Sequence, residues 1–141
     1  PRIVSDAADI EWILAACDVP ENGLTFCTGS LGAHPRNDLS DMARRFGGRT
    51  HFAHLRNVRK EPDGSFEEAP HLDGDTDMVA VIYELRRAER HRKQSIPFRP
   101  DHGHELLCDG QRGSHPGYPL IGRLCGLAEL RGVVAALDRY E

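Results

Sequence analysis

Three groups of side chains able to bind a metal or carry a proton stand out in the chain, and each follows a short apolar run. Ile96 to His104 (IPFRPDHGH) ends in Asp101, His102 and His104; Gly23 to Ser30 (GLTFCTGS) holds Cys27; Thr50 to Asn57 (THFAHLRN) holds His54, followed by Arg56 and Asn57. Thiolate, imidazole and carboxylate form a borderline N/S/O donor set that suits Zn, Fe or Mn. A histidine beside such a set titrates near neutrality and can move a proton. Taken singly these residues say little: a free cysteine is more commonly an inert buried thiol, and a strand histidine more commonly a hydrogen-bonded core group. Three strand ends of the same kind change that balance, because α/β enzymes build their sites where the carboxyl ends of parallel strands open.

The elements that must position these groups follow from periodicity. Ser5 is expected to cap a first helix with Ile10, Ile13, Leu14 and Cys17 on one face, stopped by Val19-Pro20. Asn22-Gly23 then turns the chain into the buried strand Leu24 to Cys27, and the small residues after it let the backbone approach a ligand closely. Asp38 begins a short helix with the stripe Leu39, Met42, Ala43 and Phe46, ended by Gly47-Gly48. The second strand covers Thr50 to Asn57. Val58 to Asp75 is long for a strand-to-helix connection, and Asp63-Gly64 at its centre has the chemistry of a hairpin turn, as a lid over the site or as a plain surface insertion. Thr76 or Asp75 caps a long helix through Met78, Val81, Ile82 and Leu85, whose basic end, Arg86 to Lys93, suits the helix dipole. A third strand, Ile96 to Arg99, leads into Asp101. A second long loop, Leu107 to Leu124, stiffens Tyr118 within PGYPL, and a helix from Gly126 to Tyr140 carries Leu127, Leu130, Val134 and Leu137.

Helix and strand alternate throughout, so right-handed crossovers imply about three neighbouring parallel strands in an α/β fold. An open doubly wound sheet is the structural alternative, but no Gly-rich phosphate loop follows a strand. The chain has 141 residues, 28% of them charged, and a formal net charge of -4, which gives no general electrostatic case for nucleic acid or an anionic membrane. A small-molecule partner is expected. No apolar run approaches membrane-spanning length, and no leader-like start is present. Cys17, Cys27, Cys108 and Cys125 form no close CxxC pair. They read as reduced thiols of a cytoplasmic protein, which also argues against structural zinc.

In this order, GLTFCTGSLG, HFAHLRNV, RPDHGH and PGYPLIGRLCGLAELRG resemble the C-terminal part of the mannonate dehydratase family, and the resemblance runs through almost all of the chain. It implies the C-terminal portion of a (β/α)8 TIM barrel of the xylose-isomerase-like group, with residues 1–141 a single partial domain that lacks the N-terminal strands. It implies Mn2+ or Fe2+ as cofactor and a lyase activity of hexuronate catabolism that dehydrates D-mannonate to 2-dehydro-3-deoxy-D-gluconate. Matched position by position, the family's metal ligands fall on Cys27, His54 and Asp101, and its proton-transfer pair on His102 and Tyr118. A further histidine ligand belongs to a strand preceding Pro1-Arg2-Ile3, so the isolated chain is expected to be inactive. The chemistry fits these residues: a cation offsets the charge that develops beside the substrate carboxylate while an acid protonates the departing hydroxide. Arg56 and Asn57 are candidates for binding the substrate carboxylate or hydroxyls; His104 either supports the site or faces solvent. A metal-dependent sugar isomerase or epimerase of the same barrel group, and a non-catalytic fragment, are the competing readings. The expected partners are a sugar-acid substrate and, at full length, further copies of the same chain, with neither nucleic acid nor membrane.

Overall fold

In the computed structural model, which describes residues 3–140, local capping chemistry decides where each helix starts. Asp6, rather than Ser5, caps α1 (Ala7–Ala16): its carboxylate accepts from the Asp9 amide, and the Asp9 carboxylate reaches back to the Asp6 amide. Ser5 gives both its amide and its hydroxyl to Asp9 Oδ2, at 2.8 and 3.0 Å. Only Ile10 of the expected α1 stripe is buried, and Cys17 ends the helix exposed. β1 (Leu24–Cys27) runs straight into a five-residue helix, α2 (Thr28–Gly32), where the sequence suggested only a turn. Asp38 caps α3 (Leu39–Phe46) by accepting from the Asp41 amide, and Leu39, Met42, Ala43 and Phe46 are all buried.

β2 (Thr50–His54) is shorter than expected, although the Leu55 amide still donates to the Arg99 carbonyl at 2.9 Å. From Asn57 the chain forms an antiparallel hairpin of β3 (Asn57–Lys60) and β4 (Phe66–Ala69) around Asp63-Gly64, with Gly64 at φ 88°. α4 (Met78–Arg92) is capped by Asp77, which accepts from the Ala80 amide at 2.9 Å. The two residues expected to cap it are engaged with the hairpin instead. The Thr76 amide donates to Asn57, and the Asp75 carboxylate accepts from the Lys60 amide. β5 is only Phe98–Arg99. α5 (Leu120–Tyr140) starts six residues before its expected position. The buried Asp109 explains this, since its carboxylate accepts from the Ile121 and Gly122 amides, both at 2.9 Å, and satisfies orphan donors of the first turn.

The main sheet has the order β1-β2-β5 with every pair parallel. Alternation sends Phe26, Ala53 and Leu55 into the core, where they cluster with Met42, Phe46, Val81, Ile82, Leu85 and Leu130 from α3, α4 and α5. The opposite face keeps Thr25, Phe52 and His54 out of that core, and its carboxyl edge holds the candidate site. Among the described residues no helix is long and apolar enough to cross a membrane.

Candidate metal centre and acid-base pair

Register brings the three expected ligands together. Cys27 and His54 close β1 and β2 as direct partners, and His54 pairs in turn with Arg99 at the end of β5. Two residues on, Asp101 sits at φ 65°, a left-handed conformation that aspartate tolerates better than most side chains. One ligand atom each from Cys27, His54 and Asp101 lies within 4.8 Å of the others. His54 Nδ1 is 3.9 Å from Asp101 Oδ1.

This geometry fits a transition-metal ion. Bonds of about 2.0 to 2.3 Å place neighbouring ligand atoms roughly 3 to 4 Å apart, so only a small contraction is needed. A sulfur, a nitrogen and an oxygen donor suit a borderline cation, and three protein ligands leave positions for substrate. Burial holds the His54 imidazole below its ordinary pKa, with Arg99 and His102 acting in the same direction and Asp101 opposing them; a neutral ring is the form that ligates. Arg99 Nη2 donates to Asp101 Oδ1 at 2.7 Å and orients the carboxylate.

His102 and Tyr118 meet beside this cluster. His102 Nε2 is 3.0 Å from the Tyr118 hydroxyl, with the ring centroids 4.7 Å apart. The loop is closed behind them by the Gly103 amide donating to the Gly117 carbonyl. Gly117 has φ 81°, and a Cβ there would stand 3.3 Å from His102 Nδ1, so glycine suits this position both conformationally and by volume.

The remaining expected residues divide. Arg56 forms a two-point ion pair with Glu68, with Nε to Oε2 at 2.9 Å, and lies over the Phe66 ring. Asn57, expected among substrate contacts, is 1% exposed and points into the protein; its amide bonds the His71 and Thr76 carbonyls and the Val58 and Thr76 amides. His104 is exposed, and its Nε2 donates to the Glu68 carbonyl at 3.1 Å.

Glu68 is a site residue that the strand-end pattern did not reveal. Its Oε1 lies 2.8 Å from His102 Nδ1, so one carboxylate engages both Arg56 and His102. Burial pushes the Glu68 carboxyl up, but the bonds from Arg56 and His102 outweigh it and hold its pKa below the ordinary value. A usable signal was present. With the turn at Asp63-Gly64, hairpin pairing sets Glu68 opposite Val58 and Glu67 opposite Arg59; paired residues share a face, and Val58 is the apolar, fully buried member.

A family model described as D-mannonate dehydratase (UxuA) matches residues 1–141. The chain is 56% identical to the mannonate dehydratase of Rhizobium meliloti (strain 1021), over 98% of this chain and 37% of that protein. It is also 56% identical to that of Chromohalobacter salexigens, over 99% of this chain and 37% of that protein. Its fold matches the crystal structure of mannonate dehydratase from Streptococcus suis serotype 2 with a TM-score of 0.86 at 34% identity, covering 99% of this chain and 39% of that one. The chain therefore spans a little over a third of the length of the relatives it matches.

Proposed function

The chain belongs to the D-mannonate dehydratase family, and we propose that it supplies the metal ligands and proton carriers of a cytoplasmic, oligomeric TIM-barrel lyase. That enzyme removes water from D-mannonate to give 2-dehydro-3-deoxy-D-gluconate, and residues 1–141 form part of its barrel domain. The observation that carries this reading is the convergence of Cys27, His54 and Asp101 at one sheet edge, with the His102–Tyr118 contact beside it.

Cys27, His54 and Asp101 would hold Mn2+ or Fe2+, which would supply a Lewis acid to offset the negative charge that develops on the substrate. The chain's own groups do the proton work. The C2–H bond breaks with its proton passing to a base; the C3–O bond breaks with the leaving hydroxide protonated to water; the resulting enol becomes the 2-keto product. His102 and Tyr118, within one hydrogen bond of each other, carry these two transfers between them. Arg56 spends Nε and Nη2 on Glu68, and its remaining Nη1 is the group we assign to the substrate carboxylate.

The test separates ligands from proton carriers in the natural enzyme that contains this chain. His102→Ala and Tyr118→Phe should abolish formation of the 2-keto acid while metal content stays near the wild-type level. Cys27→Ala and His54→Ala should lose metal first. Near-normal turnover by His102→Ala would remove that residue from the reaction.

A further inference from the structure

We propose that Glu68 is a positioning residue: it fixes His102 with the proton on Nδ1, so that Nε2 is the basic atom turned toward Tyr118 and the substrate. The proposal rests on the assignment of His102 to proton transfer made above and extends it to the hairpin.

The tautomer follows from hydrogen-bond capacity. An ionised carboxylate only accepts, so the 2.8 Å contact between Glu68 Oε1 and His102 Nδ1 requires a hydrogen on Nδ1. In the neutral ring Nε2 then has a lone pair, and across 3.0 Å it accepts from the Tyr118 hydroxyl. The opposite tautomer would set the bare Nδ1 against the carboxylate, lone pair to lone pair. Arg56 decides that Glu68 is ionised: it grips both carboxylate oxygens, and a protonated Glu68 would forfeit half of that fork. The imidazolium formed when Nε2 takes a proton keeps its Nδ1 hydrogen, donated to Glu68, and no proton passes on to the carboxylate. The arrangement is thus the general one in which a carboxylate orients a histidine base and stabilises its charged form, here with Glu68 partly buried.

The hairpin is fastened where this role needs it. His104 Nε2 donates to the Glu68 carbonyl, and His71 Nε2 donates to the Pro100 carbonyl at 2.9 Å. Both bonds tie the segment around β4 to the loop that carries Asp101 and His102. Glu67, one residue away, points outward and lies 3.9 Å from Arg59.

The experiment uses the full natural enzyme. Histidine 15N spectra of the wild type, recorded metal-free to avoid paramagnetic broadening, should show His102 protonated at Nδ1; protonation at Nε2 instead overturns the proposal without any substitution. Glu68→Gln should lower kcat by about 10- to 100-fold, the usual cost of losing a supporting partner, with KM changed less than about twofold and metal content unchanged. Glu68→Asp, which keeps the charge, should recover part of the loss, and Glu67→Gln should behave as wild type. Wild-type kcat in Glu68→Gln beside an inactive His102→Ala overturns the role of Glu68 alone. Wild-type kcat in His102→Ala overturns the acid-base assignment as well.

Discussion

Replacing Asn57 by alanine removes four hydrogen bonds at a site only 1% exposed. The lost partners are the His71 and Thr76 carbonyls, at 3.0 and 2.9 Å, and the Val58 and Thr76 amides, at 3.0 and 3.1 Å. At about 1 kcal/mol net per bond the loss is roughly 4 kcal/mol, and a water entering the vacated space would return about half of it. The expected destabilisation is therefore about 2 to 4 kcal/mol, a large part of the roughly 5 to 15 kcal/mol that holds a domain folded. With a urea dependence of about 4 kcal/mol per M for an enzyme as long as the relatives, nearly three times the length of this chain, the unfolding midpoint should fall by about 0.5 to 1 M. Activity should fall through kcat, because Asn57 anchors the base of the hairpin that delivers Glu68 to His102, while KM for mannonate should hardly move. Urea unfolding and steady-state kinetics on the same preparation check both halves. An unchanged midpoint together with a raised KM would refute this reasoning and return Asn57 to the substrate contacts.

Asp109 makes stability depend on pH. Burial pushes its carboxyl up, but the Ile121, Gly122 and Leu106 amides, with the charge of Arg112, hold its pKa below the ordinary 3.8. Its contribution is therefore fully present above that value and is lost as pH falls through the lower folded value; acid-unfolding curves of Asp109→Asn should lack this component, and coincident curves would exclude it. Expressed by itself, the 141-residue chain should self-associate and leave mannonate unchanged, because among the described residues β1 and β5 each keep an unpaired edge in the three-stranded sheet; a sedimenting monomer with turnover would contradict this.

What could be read from the sequence depended on whether a local rule determined it. α3 and α4 were legible because their buried residues repeat at helical spacing within one stretch; the Asp38 cap of α3 was legible too, whereas the cap of α4 is Asp77, one or two residues after the expected Thr76 or Asp75. The three strand ends were legible because an apolar run broke off at or just before a residue type able to bind a metal. The start of α5 was hidden by tertiary structure. Gly122 looks like a loop residue, yet a Cβ there would collide with the His104 carbonyl, and one at Gly126, the expected first residue of the helix, with the His71 ring. The helix there is closely packed, and its capping carboxylate comes from Asp109, 12 residues before Ile121. Asn57 misled for a related reason: an amide just past a strand end suggests a ligand contact, and only the folded hairpin shows that its bonds are used internally.

The candidate site thus joins two kinds of construction with different tolerances. Two of the three candidate ligands hang on backbone register: adjacent strands lie about 4.8 Å apart, and Cys27 and His54 are partners in the ladder itself, so their separation is fixed wherever the sheet is formed. Asp101 and the proposed proton carriers have no such frame. His102 and Tyr118 stand on a loop whose geometry depends on the Gly103–Gly117 backbone bond and on the hairpin bonds through Glu68 and His71. Loosening those tethers should degrade proton transfer and disturb only the Asp101 part of the candidate ligand set, whereas disturbing the sheet should remove both proton transfer and metal binding. Substitutions in the hairpin and substitutions in β1 or β2 therefore lead to different losses, even though their side chains meet within a few ångströms.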